Sequence, residues 1–142
     1  MNKWLKIIDD KALTLYINIE NIVSFTTWEA KKGILQVTFK GSCEVYAIFM
    51  ASEKKTFALK EHILNVAENL IPNTSNKIKD FIPFGIFNVD RNLINIIELF
   101  PECEPSTCGD IRMGDTLGNR SKEASYKTTE ELKTILNNIM EG

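Results

Sequence analysis

The spacing of hydrophobic residues predicts five short strands in the first half of the chain. Apolar and polar residues alternate over 13–19 and again over 35–39, which is the pattern of strands with one buried face. Residues 23–28 are rich in β-branched and aromatic side chains, and 45–50 form a hydrophobic run. Together with an apolar run at 4–8, these segments predict an antiparallel meander.

After the last of these strands the period changes to that of a helix. Leu59, Ile63 and Val66 fall on one stripe of a helical surface, so we expect a helix over 56–71. Pro72 follows directly, and a proline cannot continue a helix. The first half is therefore predicted to be a β-meander closed by one helix.

The second half of the chain repeats this order of elements. The predicted elements are strands over 77–82, 87–90 and 93–100, a strand through Ile111 and Met113, a weaker strand over 122–127, and an amphipathic helix over 129–140. We therefore predict an α+β fold of two tandem related units, 1–71 and 72–142. Each unit is an antiparallel β-meander closed by one C-terminal helix.

The size of the two predicted units indicates how they are arranged. Each has about 70 residues, which is marginal for an independent hydrophobic core. We therefore expect the units to share one core or one sheet, related by an approximate twofold, within one compact domain. A single α+β domain without an internal repeat stays the alternative.

A short polar motif occurs once in each half. Asn18 with Glu20 and Asn88 with Asp90 occupy matching places in the repeated pattern. The two asparagines could form a symmetric pair of contacts at a shared cleft. The favoured interpretation is a turn device, in which each short polar side chain bonds its own backbone and directs the chain into the next strand.

Composition and charge exclude several classes of protein. The chain has 142 residues, of which 44% are hydrophobic and 25% charged, and its formal net charge is −2. This balance gives no electrostatic attraction to nucleic acid or to an anionic membrane. No apolar run is long enough to span a bilayer, and the charged N-terminus lacks the pattern of a signal peptide, so we predict a cytoplasmic protein.

The acidic residues are concentrated in the second half. Residues 1–71 carry nine cationic and eight acidic side chains, whereas 72–142 carry eight and eleven. Five carboxylates and one arginine lie between residues 98 and 115. This stretch predicts a partner-binding loop for a protein with a basic surface, and an ordinary acidic hairpin on the surface is the alternative. The candidate contact residues are Glu98, Phe100, Glu102, Glu104, Asp110 and Arg112.

Trp28 is added to these candidates because it is an aromatic residue at the tip of a predicted hairpin. Lys31 and Lys32 follow it, and an aromatic ring beside cations is typical of single-stranded nucleic-acid binding. One aromatic and two lysines are too few to favour that function. Packing of Trp28 at the end of its own strand is the favoured alternative to that function.

The three cysteines leave several states open. Cys103 and Cys108 flank the acidic stretch, and Cys43 stands alone in a strand-like segment. Reduced thiols are favoured for a cytoplasmic protein. A disulfide, a redox pair and a metal site are the alternatives, although a zinc site needs a second pair of ligands that the pattern lacks. We predict neither a metal nor a cofactor.

Motifs of catalysis are missing from the sequence. His62 is the single histidine, no Gly-x-Ser-x-Gly motif occurs, and the glycines form no phosphate loop. We therefore predict a noncatalytic protein–protein interaction module. Its most concrete form is a small acidic inhibitor or immunity-type protein of bacterial or phage origin. A small-ligand or nucleotide-binding protein with a cleft between the halves is the alternative, and unpaired strand edges could also recruit a second copy into a homodimer.

Overall fold

A computed structural model describes residues 3–41, 45–70, 80–103, 107–115 and 122–140. Ten strands and two helices are found in these ranges. The strands are β1 (Trp4–Ile8), β2 (Thr14–Asn18), β3 (Ile22–Thr26), β4 (Ile34–Phe39), β5 (Val45–Phe49), β6 (Phe81–Phe84), β7 (Phe87–Asp90), β8 (Ile94–Pro101), β9 (Gly109–Asp115) and β10 (Lys122–Tyr126). The helices are α1 (Glu53–Glu68) and α2 (Thr129–Met140).

The strands form three antiparallel sheets. The largest has five strands in the order β1-β2-β8-β9-β10, the second has the order β3-β4-β5, and β6 with β7 forms a hairpin. The five-stranded sheet combines strands from both halves of the chain, because β2 pairs with β8 through Leu15 opposite Glu98 and Ile17 opposite Ile96. The predicted α+β class with antiparallel sheets is confirmed.

The buried side chains form two clusters. The first includes Leu15, Ile17, Leu35, Val37, Ile48, Ile63 and Ile96. The second includes Phe84, Ile94, Ile97, Ile111, Met113, Tyr126 and Ile139. Because successive residues of a strand point to opposite faces, Ile96 and Ile97 place the clusters on opposite sides of the five-stranded sheet. The first cluster lies with α1 and the second with α2.

Both halves contain the same order of elements in the described residues. Two strands are followed by a 3-10 helix, at Ile19–Asn21 and Arg91–Leu93, and then by three strands and an α-helix, with one further short turn, Ala30–Lys32, in the first half. A common origin of the two halves stays a prediction. The predicted boundary between residues 71 and 72 lies outside the described residues.

The turn device predicted for the repeated motif is confirmed, with one change of residue. The side chain of Asn18 accepts a hydrogen bond from the Glu20 backbone N–H, and Asp90 accepts one from Asn92. Asn88 is instead exposed within β7, so the structural counterpart of Asn18 is Asp90. The sequence pattern matches Asn18 to Asn88 because each is followed by an acidic residue two positions later. The residue that makes the same hydrogen bond as Asn18 lies two positions after Asn88.

Asparagine side chains also connect the two halves. The Asn18 amide donates to the Ile94 carbonyl oxygen at 3.1 Å, and the Asn21 amide donates to Asn95 Oδ1 at 3.0 Å. All three asparagines are buried. Because an unpaired buried polar group costs free energy, these hydrogen bonds fix how the short helix after β2 meets the start of β8.

The helix bounds differ from the prediction at α1. This helix begins at Glu53 rather than at residue 56, since the Ser52 hydroxyl accepts from the Lys55 backbone N–H and caps its first turn. The hydrophobic stripe starts one turn later, so periodicity alone gave a late start. The predicted bounds of α2 are confirmed. Neither helix in the described ranges is long and apolar enough to cross a bilayer.

Replacing Asn18 should test the connection between the halves. Asn18→Ala removes a donor to Ile94 and a cap on the following turn, so we expect the free energy of unfolding to fall by about 2–3 kcal/mol. The measurement is urea denaturation followed by circular dichroism. Asn88→Ala is the matched control and should change stability by less than about 0.5 kcal/mol, because its side chain is exposed. Equal effects of the two substitutions would contradict this assignment.

Candidate interaction face

One side of strands β8, β9 and β10 carries polar side chains opposite the second hydrophobic cluster. Residues directly paired in antiparallel strands project on the same face, so the ladder arranges these side chains in rows. The rows are Glu98–Arg112–Glu123 and Phe100–Asp110–Ser125. None of the six residues is buried. We call Glu98, Phe100, Asp110, Arg112 and Glu123 the acidic face.

Arg112 lies at the centre of the acidic face. Its Nε is 2.8 Å from Glu123 Oε1, and its guanidinium lies 4.3 Å from the centre of the Phe100 ring. The ion pair is exposed, at 42% for Arg112 and 47% for Glu123, so it contributes little to stability. Three carboxylates and one guanidinium leave the face with a formal charge of −2.

Glu98 marks the border between the acidic face and the first cluster. The Tyr46 hydroxyl donates a hydrogen bond to its carboxylate. Burial raises the pKa of Tyr46 strongly, and the negative charge of Glu98, this hydrogen bond and the charge of Asp9 raise it further. The phenol therefore stays protonated and donates to Glu98 at the edge of the face.

The opposite end of the face lies at the end of the β8–β9 hairpin. Burial raises the pKa of Tyr126, and the charges of Asp110 and Glu102 raise it further. Glu102 itself is exposed, and its backbone N–H donates to the Cys108 carbonyl oxygen at 3.0 Å. Glu104, also predicted as a contact residue, lies outside the described residues.

Cys103 and Cys108 are joined by a disulfide at this end of the hairpin. The favoured expectation of two reduced thiols is therefore wrong for this structure. The strands can approach closely here because residue 109 is glycine. A Cβ on Gly109 would lie 2.3 Å from the Phe100 carbonyl oxygen and 2.8 Å from Pro101 Cα, which no side chain can tolerate.

Trp28 does not belong to the acidic face. It precedes β4 on the three-stranded sheet, where its indole N–H donates to Gln36 Oε1 at 3.1 Å. The residue is 70% exposed, so it does not pack into the end of its strand as the alternative proposed. The structure thus brings together Glu98, Phe100, Asp110 and Arg112, with Glu102 at their edge, and leaves Trp28 on another sheet.

Three participants were not found from the sequence. Glu123 and Ser125 could have been found from the alternation of buried and exposed positions in the strand predicted over 122–127. Their place beside Arg112 and Asp110 depends on the strand register, which no local pattern gives. Tyr46 comes from the other half of the chain, and nothing in the sequence relates it to Glu98.

Neither a metal-binding cluster nor a histidine beside the acidic face is present in the described residues. Within these ranges no group of three or more histidine, cysteine, aspartate or glutamate side chains could hold a metal ion. His62 is exposed on α1, a different element from the acidic face. Comparison with protein-family models, with curated proteins and with solved structures gives no significant match.

The three tyrosines predict how stability depends on pH. Burial raises the pKa of Tyr16, Tyr46 and Tyr126 above the ordinary value of 10.0, so folding favours the protonated phenols. This contribution is fully present below about pH 10 and is lost as the pH rises through the folded-state pKa values. We expect phenolate absorbance to appear together with loss of the circular dichroism signal. Tyr46→Phe should reduce the steepness of this alkaline transition.

A different titration would contradict this interpretation. If all three phenolates formed near pH 10 while the circular dichroism signal stayed intact, the tyrosines would not be held protonated by the fold. The absorbance of the unfolded chain in urea, titrated in the same way, provides the reference.

Proposed function

We propose that this protein is a noncatalytic module that binds a basic surface of a partner protein through the acidic face. One observation carries the proposal. Three carboxylates lie on the same side of β8, β9 and β10 and are not buried, while the other side of these strands packs into the second cluster: Glu98, Asp110 and Glu123. Such strands hold their backbone in a fixed position, so little backbone freedom is lost on binding.

The composition of the acidic face also suits protein recognition. Arginine and aromatic residues are enriched at the energetic centre of protein interfaces, and Arg112 lies over Phe100 here. The surrounding carboxylates would attract lysine and arginine side chains and speed the encounter with a basic partner. A partner cation could also compete for Glu123, which now pairs with Arg112.

The concrete form of the proposal is a small inhibitor or immunity-type protein of bacterial or phage origin that acts in the cytoplasm. Such proteins act by covering a functional surface, which requires an exposed patch and no catalytic group.

The alternative of a ligand cleft between the halves has weaker support. The described contact between Asn18, Asn21, Asn95 and Ile94 is filled by buried, hydrogen-bonded side chains. The shared order of elements supports two related units as the origin of this fold.

Charge neutralisation on the acidic face tests the proposal. The protein, tagged at its C-terminus, is used to capture partners from host extract, and the binding of a captured protein is then measured by calorimetry. The double substitution Asp110→Asn and Glu123→Gln should lower affinity at least about tenfold and weaken its salt dependence, because two charges that attract the partner are removed.

The control is a double substitution of equal charge on another surface. Glu61 and Glu68 are exposed on α1, so Glu61→Gln with Glu68→Gln should leave the affinity unchanged. Equal losses in both double variants would indicate an effect of net charge alone. Unchanged affinity in the Asp110 and Glu123 variant would exclude the acidic face as the binding surface.

A further inference from the structure

The Cys103–Cys108 disulfide lies directly beside the acidic face. The last paired residues of β8 and β9 are Pro101 and Gly109, and the preceding pair is Phe100 with Asp110, both on the face. The disulfide closes the hairpin beyond this point, with its two Cα atoms 5.7 Å apart. The disulfide therefore affects the position of the row Phe100–Asp110–Ser125, which we call the outer row of the acidic face.

The fold itself does not rest on this disulfide. Neither cysteine is a member of either hydrophobic cluster, and both residues are only partly buried. Structural disulfides of small proteins compensate for a weak core, whereas this chain buries two extensive clusters. Partial exposure also leaves the sulfur atoms within reach of an attacking thiolate.

Other contacts would keep the two thiols close together after reduction. The Glu102 backbone N–H donates to the Cys108 carbonyl oxygen, and the Thr107 hydroxyl lies 3.4 Å from Cys103 Sγ. The absence of a Cβ on Gly109 allows the strands to stay in close approach at this point. The dithiol form is therefore held in a geometry from which the bond can form again.

We infer that Cys103 and Cys108 are a reversible thiol–disulfide site, whose co-substrates are dithiol reductants and small-molecule disulfides. A thiolate of the reductant attacks one protein sulfur, the Cys103–Cys108 bond breaks, and a mixed disulfide forms. The second thiol of the reductant then displaces the protein sulfur. The reductant loses two electrons and becomes a disulfide, and the two protons it releases end on the protein thiols. A small-molecule disulfide reverses the reaction.

The consequence for binding rests on the proposed function. The oxidised site clamps the end of the β8–β9 hairpin and holds Phe100 and Asp110 in register. In the reduced state this end of the hairpin opens more often, so the outer row of the acidic face is ordered for a smaller fraction of time. Because cytoplasmic thiols are normally kept reduced, oxidation would be the event that completes the face.

The test uses the full chain with Cys43→Ser, so that only the proposed pair can exchange. The protein is equilibrated in buffers of reduced and oxidised dithiothreitol, quenched in acid, alkylated and weighed by mass spectrometry. We expect one reversible two-electron transition with an unchanged circular dichroism spectrum. Amide hydrogen exchange in 98–101 and 109–112 should be at least about tenfold faster in the reduced protein, and exchange in β1 should be unchanged.

A matched variant separates the disulfide from other effects of the reductant. Cys103→Ser with Cys108→Ser, in the same background, should show the faster exchange in every buffer and no response to dithiothreitol. Reduction only after unfolding, thiols that never oxidise, or equal exchange in both states would each overturn the inference. None of these measurements uses a partner, so their failure is distinguishable from failure of the proposed function. If both hold, a captured partner should bind the oxidised protein several-fold more tightly.

Discussion

The pairing of β2 with β8 is the constraint on which the rest of the structure depends. It joins strands from the two halves into one sheet, and it places Ile96 against the first cluster and Ile97 against the second. The first cluster therefore covers one side of the sheet at β1 and β2, and the second cluster covers the opposite side at β9 and β10. The acidic face is what this arrangement leaves uncovered beside β8.

The individual elements could be predicted because they depend on local periodicity. Alternation located most of the strands, although β6 is Phe81–Phe84 and the prediction was 77–82, and the helical stripe located both helices. The short spacing of Glu98, Phe100, Asp110 and Arg112 placed four side chains near one another. Contacts that depend on strand register could not be predicted, since Glu123 reaches Arg112 only through the pairing of β10 with β9. The contact of Tyr46 with Glu98 requires the packing of one half on the other.

The state of the two cysteines and the position of Trp28 could not be predicted, for different physical reasons. Composition favoured reduced cysteines, but the disulfide is decided by the approach of β8 to β9, which Gly109 permits. Trp28 was grouped with the acidic residues because both were exposed candidates for recognition. Its neighbour in space is Gln36, since the strand that follows Trp28 belongs to the second sheet.

The two sheets also differ in the chemistry of their solvent-facing sides. In the described strands of the three-stranded sheet, the outward side chains at paired positions are uncharged: Ser24, Thr26, Ile34, Gln36, Thr38, Val45, Ala47 and Phe49. The acidic face, in contrast, is dominated by carboxylates. For the basic partner that we propose, one sheet would provide electrostatic attraction and the other would not, so the separation of charge between the sheets would set the orientation of approach. That separation follows from β8, because its pairing with β2 determines which side of β9 and β10 meets solvent.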